Sequence, residues 1–320
     1  MRAIQAERAG GPEVLLSVEL EVPRPGDGEL LVALTATGVN FIDVYRRTGR
    51  YPVGFPHVPG TEGAGTVAAV GPGVTGWAVG DRVATAEGRR TYAQQAIVPA
   101  EHAARVPAGV DLRVAAAVPL QGVTAHYLVT SVFPVGAGSV VLIHAGAGGV
   151  GLLLIQLARA RGATVLTTVG SPGKRSLAEE AGADHVLDYD DFADRARDLT
   201  GGRGVDVVYD GVGASTFDGS LLALRPRGVL ALFGAASGPV PPVDPIRLMQ
   251  QGSLVLTRPT MGDFLLTGQE RAWRFGEVFG AVERGELSVR IGTQVPLDDA
   301  AEAHRALEGR RTTGKVLLLP

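Results

Sequence analysis

No cysteine occurs among the 320 residues, which removes disulfides, thiolate nucleophiles and every metal site built on a thiolate. Lysine is nearly absent as well: Lys174 and Lys315 stand alone, and Asn40 is the single asparagine. Scarce asparagine and missing cysteine suit a thermophile, but thermophile proteomes favour lysine, so biased codon usage accounts for the pattern equally well. No run approaches ~20 uninterrupted apolar residues, the length a membrane helix needs. The opening MRAIQAERAGGPEV holds no apolar core of the kind a secretory signal carries. Neither sign of charge dominates. With a net charge of −3 and both signs interspersed, the footprint of a nucleic-acid-binding surface is missing. What remains is the composition of a globular protein, 45% apolar and 20% charged, long enough for one large or two ordinary domains. A cytoplasmic enzyme is the expectation.

The texture changes along the chain. Residues 1–120 read as β-rich: short apolar or alternating runs at 15–18, 30–36, 65–70, 82–86 and 92–98 are punctuated by Gly and Pro. From 121 to 258 strands and helices alternate. Strands are predicted at 140–144, 164–169, 186–187, 205–210, 229–233 and 254–257. Helices are predicted at 149–161, 174–181, 192–199, 217–224 and 246–250. That rhythm implies right-handed βαβ crossovers and a parallel sheet, an α/β fold. The segment 259–320 lacks the rhythm, with a helix at 269–284, a strand at 289–293, a helix opened by Asp298 or Asp299 with Glu302 as capping-box partner, and a strand at 315–319. It is expected to return to the first domain.

The stretch VVLIHAGAGGVGLLLIQLARARG concentrates the chemistry. Gly146, Gly148 and Gly151 fit the G-x-G-x-x-G dinucleotide fingerprint between a strand and a helix. Gly146 is expected to permit the sharp turn, Gly148 to let backbone approach a diphosphate, and Gly151 to let helix and strand pack. The helix start, with Gly149 and Val150, offers amides and a positive dipole end. A tight turn that binds nothing is the bland alternative. An NAD site presents an acidic residue about 20 residues on, to the ribose 2′-OH. Here the second strand ends in TVLTTVGSPGKRS, and no acid follows Thr164 until Glu179. Gly170, Ser171, Lys174 and Arg175 leave room for a 2′-phosphate and supply a hydroxyl and two cations to hold it, so NADPH is expected. Ser171 and Pro172 also read as an N-cap and first-turn pair.

At this point the chain resembles a known family. AGAGGVGLLLIQLAR, VYDGVG and NFIDVYRRTGRYP, with GTEGAG at 60–65, AVGDRV at 78–83 and the ending RRTTGKVLLLP, are similar to the quinone oxidoreductases. These form the zeta-crystallin-like branch of the medium-chain dehydrogenase/reductases. The likeness covers essentially the whole chain and includes Gln156 and Arg159. Ser139 departs from it, standing where an acidic or amide residue is usual. The resemblance implies a GroES-like catalytic domain (1–120), a doubly wound Rossmann-type domain (121–258), a C-terminal segment rejoining the first (259–320), and an active site in the cleft between. It also implies NADPH-linked reduction of quinones, or of enones of similar shape. Matched residue by residue, Asn40 and Tyr45 would orient the nicotinamide ribose or the acceptor carbonyl, and Tyr51 would wall the site or donate its hydroxyl. Gly122 and Thr124 would lie near the nicotinamide and Tyr189 beside the adenosine. Gly211, Val212, Phe233 and Gly234 would line the cofactor. Arg310 and Lys315 either reach it from the tail or are surface cations, the second being favoured. SLVLTRPT resembles the family's last sheet strand, so a homodimer is expected through the edge from Leu254 to Thr257.

Zinc alcohol dehydrogenases of the same superfamily take a metal ligand from a GHE motif, which here reads Gly60-Thr61-Glu62. The six histidines, His57, His102, His126, His144, His185 and His304, show no HxH or HExxH spacing, so no metal is expected. His144 reads as a packed or hydrogen-bonded core residue, and Glu62 as a structural hydrogen-bonder. Reduction of an electron-poor quinone needs chiefly stacking against the nicotinamide and a donor near the oxygen. An enone or alkenal reductase needs the same slot, and the two remain open. A protein that senses NADPH or binds RNA without catalysis is the reading of another class.

Overall fold

In the computed structural model, which describes residues 1–320, the chain leaves one unit and later re-enters it. Residues 1–123 and 266–320 fold together, and 124–265 fold as a second unit.

The first unit opens with β1 (Arg2–Gln5) and β2 (Leu16–Glu19), an antiparallel pair that sets Ala3 opposite Val18. Its main sheet uses β3 (Glu29–Val39), β4 (Gly63–Val70), β5 (Arg82–Thr85), β6 (Gln95–Pro99) and β7 (Ala104–Arg105). Alternation in β3 turns Leu30, Val32 and Leu34 onto Val67, Val83, Ala96 and Val98, a core of aliphatic residues in which valine predominates, suited to a pleated surface. Three helices interrupt the β-rich stretch: α1 (Phe41–Arg47), α2 (Leu112–Ala117) and α3 (Pro119–Tyr127). None is legible in periodicity, because each is shorter than three turns and the Ala-rich α2 is buried on most sides.

The second unit repeats strand and helix: β8 (Val140–Ile143), α4 (Gly149–Ala160), β9 (Thr164–Thr168), α5 (Arg175–Glu180), β10 (His185–Leu187), α6 (Phe192–Leu199), β11 (Val205–Asp210), α7 (Phe217–Ala223), β12 (Leu224–Leu232), α8 (Pro245–Gln250) and β13 (Val255–Thr257). All six strands are parallel, in the order β10-β9-β8-β11-β12-β13. The winding direction reverses between β8 and β11, the switch point where open α/β sheets bind ligands beyond their carboxyl ends. Burial on both faces explains why VVLI reads as an unbroken apolar run and why VDVVYD is apolar apart from Asp206 and Asp210.

The tail supplies α9 (Gly268–Glu283), β14 (Ile291–Pro296), α10 (Ala300–Glu308) and β15 (Lys315–Leu319). β15 pairs with β3, Val316 facing Val39, and extends the first unit's sheet to the order β14-β15-β3-β4-β5-β7. The expected capping box at α10 does not form. Asp299 is the N-cap without a side-chain bond, and the Glu302 carboxylate is taken by Arg305 and Arg311. No helix is long and apolar enough to cross a membrane.

Candidate functional site

The glycine turn joins β8 to α4 as its spacing predicts, but the division of labour among its residues differs. The left-handed residue is Ala145, with φ +56°, while Gly146 keeps a negative φ. Gly146 is needed because a Cβ there would stand 2.1 Å from Thr167 Oγ1, whose hydroxyl donates to the Ile143 carbonyl. At Gly151 a Cβ would press on the Ala145 carbonyl at 2.3 Å, so this glycine does allow helix and strand to close up. Gly148 is the N-cap of α4, and a Cβ there would meet only the Ala145 carbonyl, at 3.1 Å. The remaining side is open to an approaching group. Gly149, Val150 and Gly151 form the first turn, whose N–H groups have no carbonyl one turn earlier. Three convergent amides at a positive dipole end fit a diphosphate.

Because the strands are parallel, the segments following β8, β9, β10, β11 and β12 emerge at one edge of the sheet, and with them Gly170, Tyr189, Gly211 with Val212, and Phe233 with Gly234. Tyr189 Oη accepts the Ala145 N–H at 3.0 Å, and its ring stacks on His144. A Cβ on Gly211 would meet the Phe233 ring at 2.9 Å, and one on Gly234 the Gly211 carbonyl at 2.4 Å, so the two glycines let adjacent strand ends close. After β9, Gly170 and Ser171 are exposed. Ser171 is the N-cap of the short turn 172–174 and Pro172 its first residue, as the sequence suggests, although the serine side chain makes no cap bond. Arg175 is committed elsewhere, donating to the Val186 carbonyl at 2.6 Å and pairing with Asp188 at 3.6 Å. Lys174 is half-buried at the end of the turn 172–174.

In the first unit the expected polar residues surround a buried charge centre. Asn40 caps α1, its N–H donating to Asp43 Oδ2 at 3.0 Å. Its side-chain amide is engaged at both ends: Nδ2 donates to Glu62 Oε2 at 2.8 Å, and Oδ1 accepts from Lys315 Nζ at 2.7 Å. Lys315 also pairs with Glu62 Oε2, and Glu62 Oε1 accepts the Leu120 N–H at the start of α3, at 2.8 Å. Lys315 is therefore no surface cation; it is 1% exposed. Gly38 makes room, since a Cβ there would collide with Glu62 and with Lys315 Cε. Glu62 is the hydrogen-bonder expected of the altered GHE position, and its carboxylate is occupied by an ammonium and two N–H groups. No group of three or more His, Asp or Glu stands close enough to hold a metal ion.

One turn along α1, Tyr45 is buried against Tyr51, ring centroids 5.3 Å apart, with the Arg50 guanidinium over its face at 4.6 Å. Tyr51 is exposed. Gly122 admits Val278, to which a Cβ would come within 2.8 Å, and Thr124 is buried beyond it in the helix sequence. Beside α1 lies a second network that sequence reasoning missed. Tyr92 Oη donates to Asp43 Oδ2 at 3.2 Å and meets His304 Nε2 at 3.0 Å, while Arg47 reaches His304 Nδ1 and holds Glu308 with both Nη atoms. Burial pushes the Asp43 carboxyl up to about 6, against the pull of the Asn40 N–H and of Arg46. Burial, helped by Arg47, pushes His304 down to about 3. The partners are 49 to 261 residues apart in sequence, and no local signal joins them.

Comparison with known proteins follows from this geometry. Residues 26–132 match the alcohol dehydrogenase GroES-like domain and 149–275 the zinc-binding dehydrogenase family. A quinone oxidoreductase of Pseudomonas aeruginosa is 44% identical over 100% of this chain and 99% of its own. A 2-haloacrylate reductase of a Burkholderia species is 41% identical over 98% of this chain and 97% of its own. A mycobacterial protein solved in complex with NADPH is 53% identical over all of both chains and superposes with a TM-score of 0.98.

Proposed function

The chain belongs to the quinone oxidoreductase family of the zinc-free medium-chain dehydrogenase/reductases, and on that premise we propose that it is an NADPH-dependent quinone reductase. The observation that carries the cofactor reading is the bare glycine cradle beside a strand end that carries lysine and no carboxylate. The amides of Gly149, Val150 and Gly151 would hold the diphosphate, and Lys174 with Ser171 the 2′-phosphate. Tyr189 would lie against the adenosine; Gly122, Thr124, Gly211, Val212, Phe233 and Gly234 would line the rest.

When bound, NADPH supplies a hydride to the electron-poor ring. One hydride and one proton from water convert quinone to hydroquinone. No alkoxide has to be generated, so the work left to the protein is alignment and exclusion of water. Tyr45 and Tyr51 offer the aromatic wall and a phenolic donor for the acceptor oxygen. Asn40, fixed at both ends by Glu62 and Lys315, keeps the start of α1 in place beneath them.

Turnover of NADPH with a panel of quinones tests the proposal. The relationship to a 2-haloacrylate reductase favours a second reading, hydride addition to an activated double bond, so 2-haloacrylates and enones belong in the same panel. Quinone turnover supports the first reading; turnover of activated alkenes alone supports the second; oxidation with neither refutes a reductase. The reading places the enzyme in the cytoplasm, where reduced nicotinamide cofactor is regenerated. It also makes the enzyme a homodimer through β13, an edge strand with half-exposed Val255, next to exposed Ile246 and Met249 on α8.

A further inference from the structure

Four buried side chains in the second unit form a hydrogen-bond chain, ending on a backbone amide, that the reaction does not use. Asp210, at the end of β11, accepts four bonds. The N–H groups of Val212 and Gly213 reach Oδ1 at 2.8 and 2.9 Å, and the hydroxyls of Thr216 and Ser220 reach Oδ2 at 2.7 and 2.9 Å. A carboxylate only accepts, so Ser220 must donate to it. The Ser220 oxygen is then left to accept from His144 Nε2, at 3.0 Å. That fixes the proton on Nε2 and leaves Nδ1 to accept from the Thr168 hydroxyl, at 2.9 Å. The Thr168 oxygen in turn faces the Ala145 N–H, at 3.4 Å, alongside Tyr189 Oη at 3.0 Å. Every donor points the same way, from the glycine turn toward Asp210. Burial lowers His144 toward its neutral form, which the chain requires.

The chain ends on the one residue of the turn that needs support. Ala145 is left-handed, a conformation unfavourable for a non-glycine residue, and its carbonyl is the wall that Gly148 and Gly151 pack against. If its amide lost its acceptors, the α4 amides behind it would lose their aim. We propose that Asp210 and His144 are positioning residues for the dinucleotide: the carboxylate sets the direction of the chain, the imidazole transmits it, and Thr168 presents a lone pair to Ala145. The proposal rests on the NADPH reading of the cradle.

Asp210→Asn tests it with almost no change of shape. The two backbone N–H groups hold the amide oxygen at the Oδ1 position, which puts the NH2 against Thr216 and Ser220. Ser220 then donates to His144, the proton moves to Nδ1, and the Thr168 oxygen accepts from it, so the hydroxyl is no longer held on the imidazole and its lone pair is no longer aimed at the Ala145 N–H, which keeps Tyr189 Oη alone. NADPH affinity by calorimetry should fall about tenfold, the effect of one misdirected hydrogen bond. Nitrogen NMR of histidine-labelled protein should show the His144 proton on Nε2 in the wild type and on Nδ1 in D210N. Ser220→Ala cuts the same chain and should weaken NADPH binding in the folded protein in addition to lowering the urea midpoint, and it is decisive if D210N fails to fold. A purely structural role would lower the midpoint and leave affinity alone. Unchanged affinity in a folded variant, or a wild-type imidazole protonated on Nδ1, overturns the proposal. If the wild type itself does not bind NADPH, the reading of the cradle has failed and the positioning role falls with it.

Discussion

Lys315→Met isolates the buried charge centre of the first unit. Lys315 and Glu62 both have side chains with no exposure, and Glu62 keeps only the Asn40 Nδ2 and Leu120 N–H donors once the ammonium is gone. Removing one partner of a buried ion pair costs about 3–5 kcal/mol, because the other charge is left uncompensated in the interior. Each kcal/mol moves the midpoint by ~2–4 °C in a unit of this size, so a fall on the order of 10 °C is expected. Glu62→Gln placed on top should recover much of it, since a neutral amide still accepts from Leu120 while the buried charge disappears. Trp77 and Trp273 are the only tryptophans and both lie in this unit, so intrinsic fluorescence follows its unfolding specifically. A complete cycle of wild type, K315M, E62Q and the double variant then gives the coupling. Additive effects, or a fall of under about 2 °C for K315M, would refute the assigned coupling.

Other outcomes follow from single contacts. Lys174→Ala should cut the preference for NADPH over NADH about tenfold or more, the loss of one charged hydrogen bond; an unchanged ratio of the two Kd values would remove Lys174 from the site. Asp43 is raised from 3.8 to about 6, so the native fold favours its proton; that contribution is complete below about pH 4 and is lost as pH rises through 6. Asp43→Asn should therefore gain on the wild type between pH 5 and 8 by about 1 kcal/mol, read as a growing difference in urea midpoints, and a constant difference would contradict the assignment. His304, lowered to about 3, acts in the opposite sense, with stability lost as pH falls from about 6.5 toward 3. Val255→Glu, on the β13 edge, should give monomers in sedimentation while wild type gives dimers.

Parts of this arrangement were legible in the sequence for definite physical reasons. The second unit's strands are buried on both faces and its turns are marked by glycine, so runs such as VVLI and VDVVYD announce themselves. The glycine cradle is local, and its spacing carries its meaning. Finer geometry was not legible: placing the left-handed residue at Ala145 required knowing that Thr167 crowds Gly146. Nor were the short helices α1 to α3, whose burial erases any amphipathic period. The Glu62–Lys315 pair joins residues 253 apart, and the Tyr92–His304 contact residues 212 apart. Such networks exist only once β15 lies against β3.

Composition nevertheless carried a signal about Lys315 that spacing could not. Of the 30 cations in this chain, all but Lys174 and Lys315 are arginine, which marks each lysine as a candidate for a place that takes a point charge on a slim stem and refuses a guanidinium. At position 315 the reason is visible. The stem passes Gly38 so closely that even a Cβ on that glycine would come within 2.6 Å of Lys315 Cε, and the ammonium ends between Glu62 and Asn40 with no space for a planar fork. At 174 no such wall exists, for Gly170 and Gly173 have nothing near their missing Cβ atoms. Arginine should therefore substitute well at 174 and badly at 315. K174R should retain the preference for NADPH, whereas K315R should unfold as readily as K315M and turn over quinone more slowly, with Asn40 displaced. Wild-type stability and kcat in K315R would show that the centre needs only a positive charge, and that its tight fit around the lysine stem is incidental.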